Sequence, residues 1–229
     1  LQVDLAHNAP TEAERQLADD LISLLTPVIK GYGTDKGYDI ATAMQQVYGG
    51  HGFIEEWGMS QYVRDARITQ IYEGANGVQA LDLVGRKLAQ NGGRGVSAFF
   101  ALVTAEIEAA KAKPPLADFA ARLEKAFGDL QASTMWLMQN GLANPDNAGA
   151  GSTPYLHLMG IVSVGLMWLK MASAAQSALD GGTADQSFME AKLITARFFA
   201  ERIMHDSGAL RRKLEAGAEA VMALPADAF

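Results

Sequence analysis

Apolar residues recur at helical spacing along almost the whole chain, and no stretch alternates apolar and polar residues with a period of two. That pattern confines the chain to helices packed on helices, since a half-buried strand needs alternation. Glycine and proline clusters punctuate it: Gly31-Tyr32-Gly33, Gly49-Gly50, Gly92-Gly93, Pro114-Pro115 and Gly181-Gly182. Seven or so helices follow, so the expected fold is all-α. It comprises an antiparallel helical bundle over residues 1–92 and a second, C-terminal helical module over residues 93–229.

Thr11-Glu12-Ala13-Glu14 has the form of a capping box and opens a first helix carrying Leu17, Leu21, Leu24, Leu25 and Val28. Pro27 is expected to loosen its last turn, the glycines at 31 and 33 to end it, and a second helix to start near Thr34 or Asp35 and stop at Gly49-Gly50. Over residues 59–72 the positions Met59, Tyr62, Val63, Ala66 and Ile71 form one stripe, with Glu73 at the helix end. The next helix begins near Asn76 and is expected to bury Val78, Leu81, Val84 and Leu88. Phe99, Phe119, Phe127, Trp136 and Trp168 fall on helical stripes and read as core. Residues 144–154 carry the turn signals of a loop, and a last long helix over 185–205 offers Phe188, Leu193, Phe198 and Ile203. Residues 155–171 are the most hydrophobic stretch. Only the 12 residues between His157 and Lys170 lack ionisable groups, short of the roughly 20 that a membrane span needs, so a buried core helix is expected rather than a span.

Composition excludes several classes of chemistry. A formal net charge of −7 argues against nucleic acid or an anionic membrane surface as partner. There is no cysteine, which removes disulfides, thiolate metal sites and a cysteine nucleophile. The four histidines have no spacing that would put two on one helical face, so no metal is expected. The chain starts at Leu1 without a signal pattern and reads as a piece of something longer.

The candidate chemistry lies between Gln46 and Gln79. Gly49-Gly50-His51-Gly52 follows a helix rather than a strand and lacks a Lys-Ser/Thr ending, which leaves a helix cap beside a phosphate-loop reading. Arg64-Asp65 reads as an ion pair, whether at a surface or in a site. Glu73 stands between Ile71-Tyr72 and Gly74, an apolar setting for an acid, and is either a general base or a capping group.

Three motifs then occur in order: Gln46-Val47-Tyr48-Gly49-Gly50-His51-Gly52-Phe53, Tyr62-Val63-Arg64-Asp65-Ala66-Arg67-Ile68 and Ile71-Tyr72-Glu73-Gly74. Together they resemble the C-terminal helical domain of acyl-CoA dehydrogenases, and residues 93–229 look like the extra module of the larger bacterial branch. Tyr72-Glu73-Gly74-Ala75-Asn76-Gly77 is similar to the wording of 3-methylmercaptopropionyl-CoA dehydrogenases. The resemblance implies a cytoplasmic, FAD-dependent enzyme that forms a trans-2-enoyl-CoA from a fatty acyl-CoA or from 3-methylmercaptopropionyl-CoA. By the same carry-over Glu73 is the catalytic base, Tyr72 and Gly74 contact the acyl substrate, and Gln46 and Gly50 meet FAD across a subunit interface. Ala75 and Gly77 depart from the family's Thr and Gln, leaving Asn76 and the start of its helix as the local cofactor contact. A homodimer or larger homo-oligomer and an electron-transfer flavoprotein as electron acceptor are implied too. An acyl-CoA oxidase and a non-catalytic helical interaction module are the alternatives.

Overall fold

The computed structural model describes residues 2–182 and 185–228, and among them there is no strand. A short helix α1 (Gln2–Asn8) leads into α2 (Glu12–Val47). Thr11 caps α2: its Oγ1 accepts from the Glu14 N–H at 3.2 Å while the Thr11 N–H donates to Glu14 Oε2 at 3.0 Å. The short α3 (Gly50–Phe53) and α4 (Met59–Thr69) follow, and α4 folds back along α2. Helix α5 (Asn76–Asp82) runs on through a π-helical turn to Lys87. Next come α6 (Arg94–Lys111), α7 (Ala117–Trp136), α8 (Pro145–Asp180), α9 (Gln186–Arg202), α10 (Asp206–Glu215) and α11 (Glu219–Met222).

One long helix replaces the two expected over residues 11–48, because the glycines there serve packing. A Cβ on Gly31 would stand 2.8 Å from Leu156 Cδ1, and Tyr32 lies directly on Gly160 of α8. Close approach of α2 and α8 buries Leu24, Val28 and Tyr32, and that tertiary gain holds the helix through Pro27 and Gly31. The expected loop at 144–154 is likewise helix. Asn144 caps α8 by accepting from the Asp146 N–H, Pro145 takes the first turn, and Gly151 lets Leu214 of α10 approach to 3.1 Å of its missing Cβ.

The core is a single cluster that joins both parts of the chain, from Leu21, Leu24 and Val28 through Phe99, Val103 and Leu123 to Leu156, Leu166 and Leu214. A polar tie crosses the same boundary, where Arg94 donates to Asp20, and Lys170 pairs with Glu106 inside the second part. Phe99, Phe119 and Phe127 are buried and Trp136 and Trp168 pack against the core, as their stripes require. By length and composition α8 is, among the described residues, the one helix long and apolar enough to cross a membrane. Most of its apolar residues, from Tyr155, Leu156 and Leu158 to Leu166 and Leu169, are instead buried among the helices around them, though Met167 is exposed, and the Tyr155 hydroxyl meets Thr134 Oγ1 at 2.8 Å.

Other faces turn differently from expectation. In α5 the buried residues are Ala80 and Leu83, while Val78 and Leu81 are exposed. In α9 they are Ala196, Phe199 and Ala200, while Phe188 and Phe198 face out. Helix α4 has no buried residue, and in its predicted apolar stripe Met59, Val63 and Ala66 are half-buried while Tyr62 is 68% exposed.

Candidate active site

Glu73 stands in a six-residue connection between α4 and α5, four residues beyond the end of α4. It has φ 52°, in the left-handed region that a side chain with a Cβ disfavours, and Gly74 follows with φ 82°. Gly74 is glycine for two reasons: its φ, and Gln79 Nε2, which would lie 2.9 Å from a Cβ. The carboxylate of Glu73 is exposed and has no partner among the described residues.

The unusual backbone is clamped from several sides. Gln79 Nε2 donates to the Glu73 carbonyl at 3.1 Å, and Lys30 Nζ on α2 donates to the Gly74 carbonyl at 2.8 Å. The Asn76 N–H closes the turn on the Gln70 carbonyl at 3.1 Å. The Asn76 side chain is spent within the chain as well. Its Nδ2 donates to Asp35 Oδ1 (2.6 Å) and Thr34 Oγ1 (2.9 Å), and its Oδ1 accepts from Lys30 Nζ (2.8 Å). Asn76 is therefore tied into the scaffold, its backbone N–H and its carboxamide both hydrogen-bonded within the chain.

Asp35 is the hub beneath this loop. Its Oδ1 also accepts from Gln70 Nε2 at 2.7 Å, and its Oδ2 lies 2.8 Å from His157 Nε2 on α8. Burial pushes the Asp35 carboxyl up, but the hydrogen bonds from Gln70, Asn76 and His157 outweigh it and hold the group below its ordinary range. Lys30, Asp35, Gln70, Gln79 and His157 all escape the sequence reading, in which Asp35 served only to cap a helix. The available signal was Lys30 and Thr34, polar residues one turn apart within an apolar helical pattern.

Gln46 and Gly50 are elsewhere. Lys30 marks the level of the Glu73 loop on α2, and Gln46 is 16 residues further on, or about 24 Å at 1.5 Å per residue. The structure thus groups Tyr72, Glu73, Gly74 and Asn76 in one loop and leaves Gln46 and Gly50 at the far end of the same helix. There Gly49 turns the chain with φ 60°, open space lies beside both Gly49 and Gly50, and the exposed Gln46 carboxamide makes no hydrogen bond within the described residues. His51 packs edge-on to Trp57, with ring centroids 5.4 Å apart. Arg64 and Asp65 do not pair. Arg64 bonds Glu55 at 2.8 Å and Asp65 accepts from Gln61, since neighbours on a helix point apart.

Comparison with known proteins assigns these features. Residues 6–89 match the family described as acyl-CoA dehydrogenase, C-terminal domain, and residues 99–225 match acetyl-CoA dehydrogenase C-terminal like. The chain belongs to the acyl-CoA dehydrogenase family. It is 37% identical over 208 residues to 3-methylmercaptopropionyl-CoA dehydrogenase of Ruegeria pomeroyi, covering 90% of this chain and 35% of that protein. It is 30% identical over 224 residues to the broad-specificity linear acyl-CoA dehydrogenase FadE5 of Mycobacterium tuberculosis, covering 94% and 37%. A butyryl-CoA dehydrogenase of Syntrophomonas wolfei is 28% identical over 233 residues, covering 99% and 37%. The chain thus spans about a third of the length of these relatives.

Acyl-CoA dehydrogenases are FAD-dependent, so FAD is the group against which the residues must be tested. A free carboxamide at Gln46 and a backbone without Cβ at Gly49-Gly50 suit the polar end of a dinucleotide. Beside Glu73 the fit rests on backbone alone, because Ala75 offers no hydroxyl and Gly77 no side chain.

Proposed function

We propose that this chain is the C-terminal part of an FAD-dependent acyl-CoA dehydrogenase and that Glu73 is its catalytic base. The observation that carries the reading is the Glu73 loop, where a left-handed backbone is clamped by Lys30 and Gln79 while the carboxylate stays free. Strain of this kind persists where the surroundings over-determine it, and it clusters at functional sites.

In this reading a Glu73 carboxylate oxygen takes the α-proton of an acyl-CoA thioester. The Glu73 backbone N–H, which donates to nothing among the described residues, hydrogen-bonds the thioester carbonyl and so acidifies the α-carbon. Tyr72, 48% exposed, lines the acyl group, and Gly74 allows close approach. When bound, FAD supplies the acceptor for the β-hydride. Gln46 and Gly50 hold the flavin's nucleotide end in a neighbouring copy of the chain, which the distance of about 24 Å along α2 favours, since one chain cannot bring both ends to one point. A homo-oligomer, an electron-transfer flavoprotein as acceptor, and a fatty acyl or 3-methylmercaptopropionyl thioester as substrate complete the proposal.

The test is anaerobic mixing of the full-length flavoprotein with a panel of acyl-CoA thioesters. Bleaching of the yellow flavin by wild type, absent in Glu73→Gln with flavin content unchanged, is the expected result; equal bleaching by the variant would exclude the base. Peroxide formed in air at the turnover rate would point to an oxidase instead.

A further inference from the structure

We propose that Asp35 is a positioning residue for the Glu73 loop and that His157 holds Asp35 in that role, so that α8 sets where the base stands. The proposal rests on the reading of Glu73 as base.

Both ends of the loop are tied to one atom. Gln70, the first residue of the connection, and Asn76, the first after it, each donate a side-chain N–H to Asp35 Oδ1, at 2.7 and 2.6 Å. Between these anchors lie Glu73 and Gly74, whose left-handed angles need an external hold. Lys30 contributes by bridging the Gly74 carbonyl and Asn76 Oδ1, both at 2.8 Å. The second Asp35 oxygen, Oδ2, faces His157 Nε2 at 2.8 Å across the α2–α8 interface. An ionised carboxylate only accepts, so the proton of this contact sits on Nε2. The His157 ring is fixed in turn by an edge contact with Tyr32, centroids 5.6 Å apart, and Tyr32 is seated on Gly160. A continuous line therefore runs from the core of α8 through His157 and Asp35 to the two ends of the base loop. Neither Asp35 nor His157 lies next to Glu73 in sequence, and the link exists only because α2 runs unbroken through Gly31.

The experiment compares Asp35→Ala, Asp35→Asn, His157→Ala and Glu73→Gln in the full-length flavoprotein. A control, Lys170→Ala, cuts the α8 tie to Glu106 of α6 away from the loop. Three quantities are read: FAD per chain, the anaerobic rate of flavin bleaching by butyryl-CoA or 3-methylmercaptopropionyl-CoA with its α-deuterium isotope effect, and amide hydrogen exchange over residues 70–79. Misplacing a reacting group by about 1 Å costs up to about 10²-fold in rate. Asp35→Ala is thus expected to slow bleaching by that order at unchanged FAD content, enlarge the α-deuterium isotope effect and speed exchange over residues 70–79 alone. Asp35→Asn keeps an acceptor for Gln70 and Asn76 and should recover most of the rate. His157→Ala should move all three readouts in the same direction by less, and Lys170→Ala should leave them unchanged. Normal bleaching per flavin in Asp35→Ala, with Glu73→Gln inactive, would overturn the role of Asp35 and leave the base intact. Loss of FAD and of protection across the whole chain would show a merely structural residue and would also overturn it. If Asp35→Ala does not accumulate, Asp35→Asn and His157→Ala decide by the same criteria. Bleaching by Glu73→Gln at the wild-type rate would remove the base reading first, and this proposal with it.

Discussion

The two halves of α2 carry similar aliphatic side chains and end in opposite surroundings. Up to Tyr32 the helix lies in the core, with Leu21, Leu24 and Val28 at most 4% exposed. Beyond Tyr32 no residue of α2 is buried, and Val47 is 74% exposed. The difference is the facing polypeptide: α5, α6 and α8 cover the first half, whereas beyond the Thr34 and Asp35 contacts to Asn76 and His157 the second half has beside it α3 and α4, which bury a single glycine between them. Val47, Phe53, Tyr62 and Ile71 are each more than half exposed. Large apolar side chains left exposed together mark surface that something else covers. The first half is therefore built for stability, and the second is the half that the subunit contacts of the proposal would use. The Glu73 loop sits where the two meet.

The sharpest way to break this division is at the junction. Glu73→Gln in the full-length flavoprotein should lower acyl-CoA oxidation by at least about 10²- to 10⁴-fold, the usual contribution of a positioned base, with unchanged melting temperature. In the buried half, Leu156→Ala removes side-chain atoms packed on Gly31 and should cost about 2–5 kcal/mol, read from denaturant unfolding. A value near zero would mean that the α2–α8 contact does not hold the long helix. Acid titration gives a smaller effect. The Asp35 carboxyl is held below its ordinary range, so the unfolded chain binds more protons at moderately acid pH. Its stabilisation is complete above about pH 4, near the ordinary carboxylate value, and is lost as pH falls through the lower folded value. Asp35→Asn should flatten that part of the melting-temperature profile. Smallest of all, Val47→Ser on the bare half should change unfolding free energy by no more than about 0.5 kcal/mol. Sedimentation should nonetheless show weaker self-association, and unchanged association would show that this face is not the subunit contact.

Much of this was legible in the residues. The capping box at Thr11, the helical period, the core aromatics Phe99, Phe119 and Phe127 and the family motifs all rest on short-range signals that tertiary packing did not reverse. Two other signals misled for one reason. Gly31-Tyr32-Gly33 and residues 144–154 carry small residues that mark turns when nothing packs on them, and here Leu156, Gly160 and Leu214 do. Exposed faces were misjudged for the opposite reason: the stripe of α4 is genuinely apolar, but no described residue of the chain packs deeply enough on it to bury it.

By itself, then, the sequence determined that the chain is helical, which family it resembles and which acid to single out, because periodicity, capping and motif spacing are local properties. Only the tertiary structure decided that α2 is one helix, that Gln46 and Gly50 stand far from Glu73, and that Asn76, Lys30, Asp35 and His157 converge beneath the Glu73 loop. Those facts depend on which helices meet, and contacts between residues as distant as Asp35 and His157 leave no trace in local spacing.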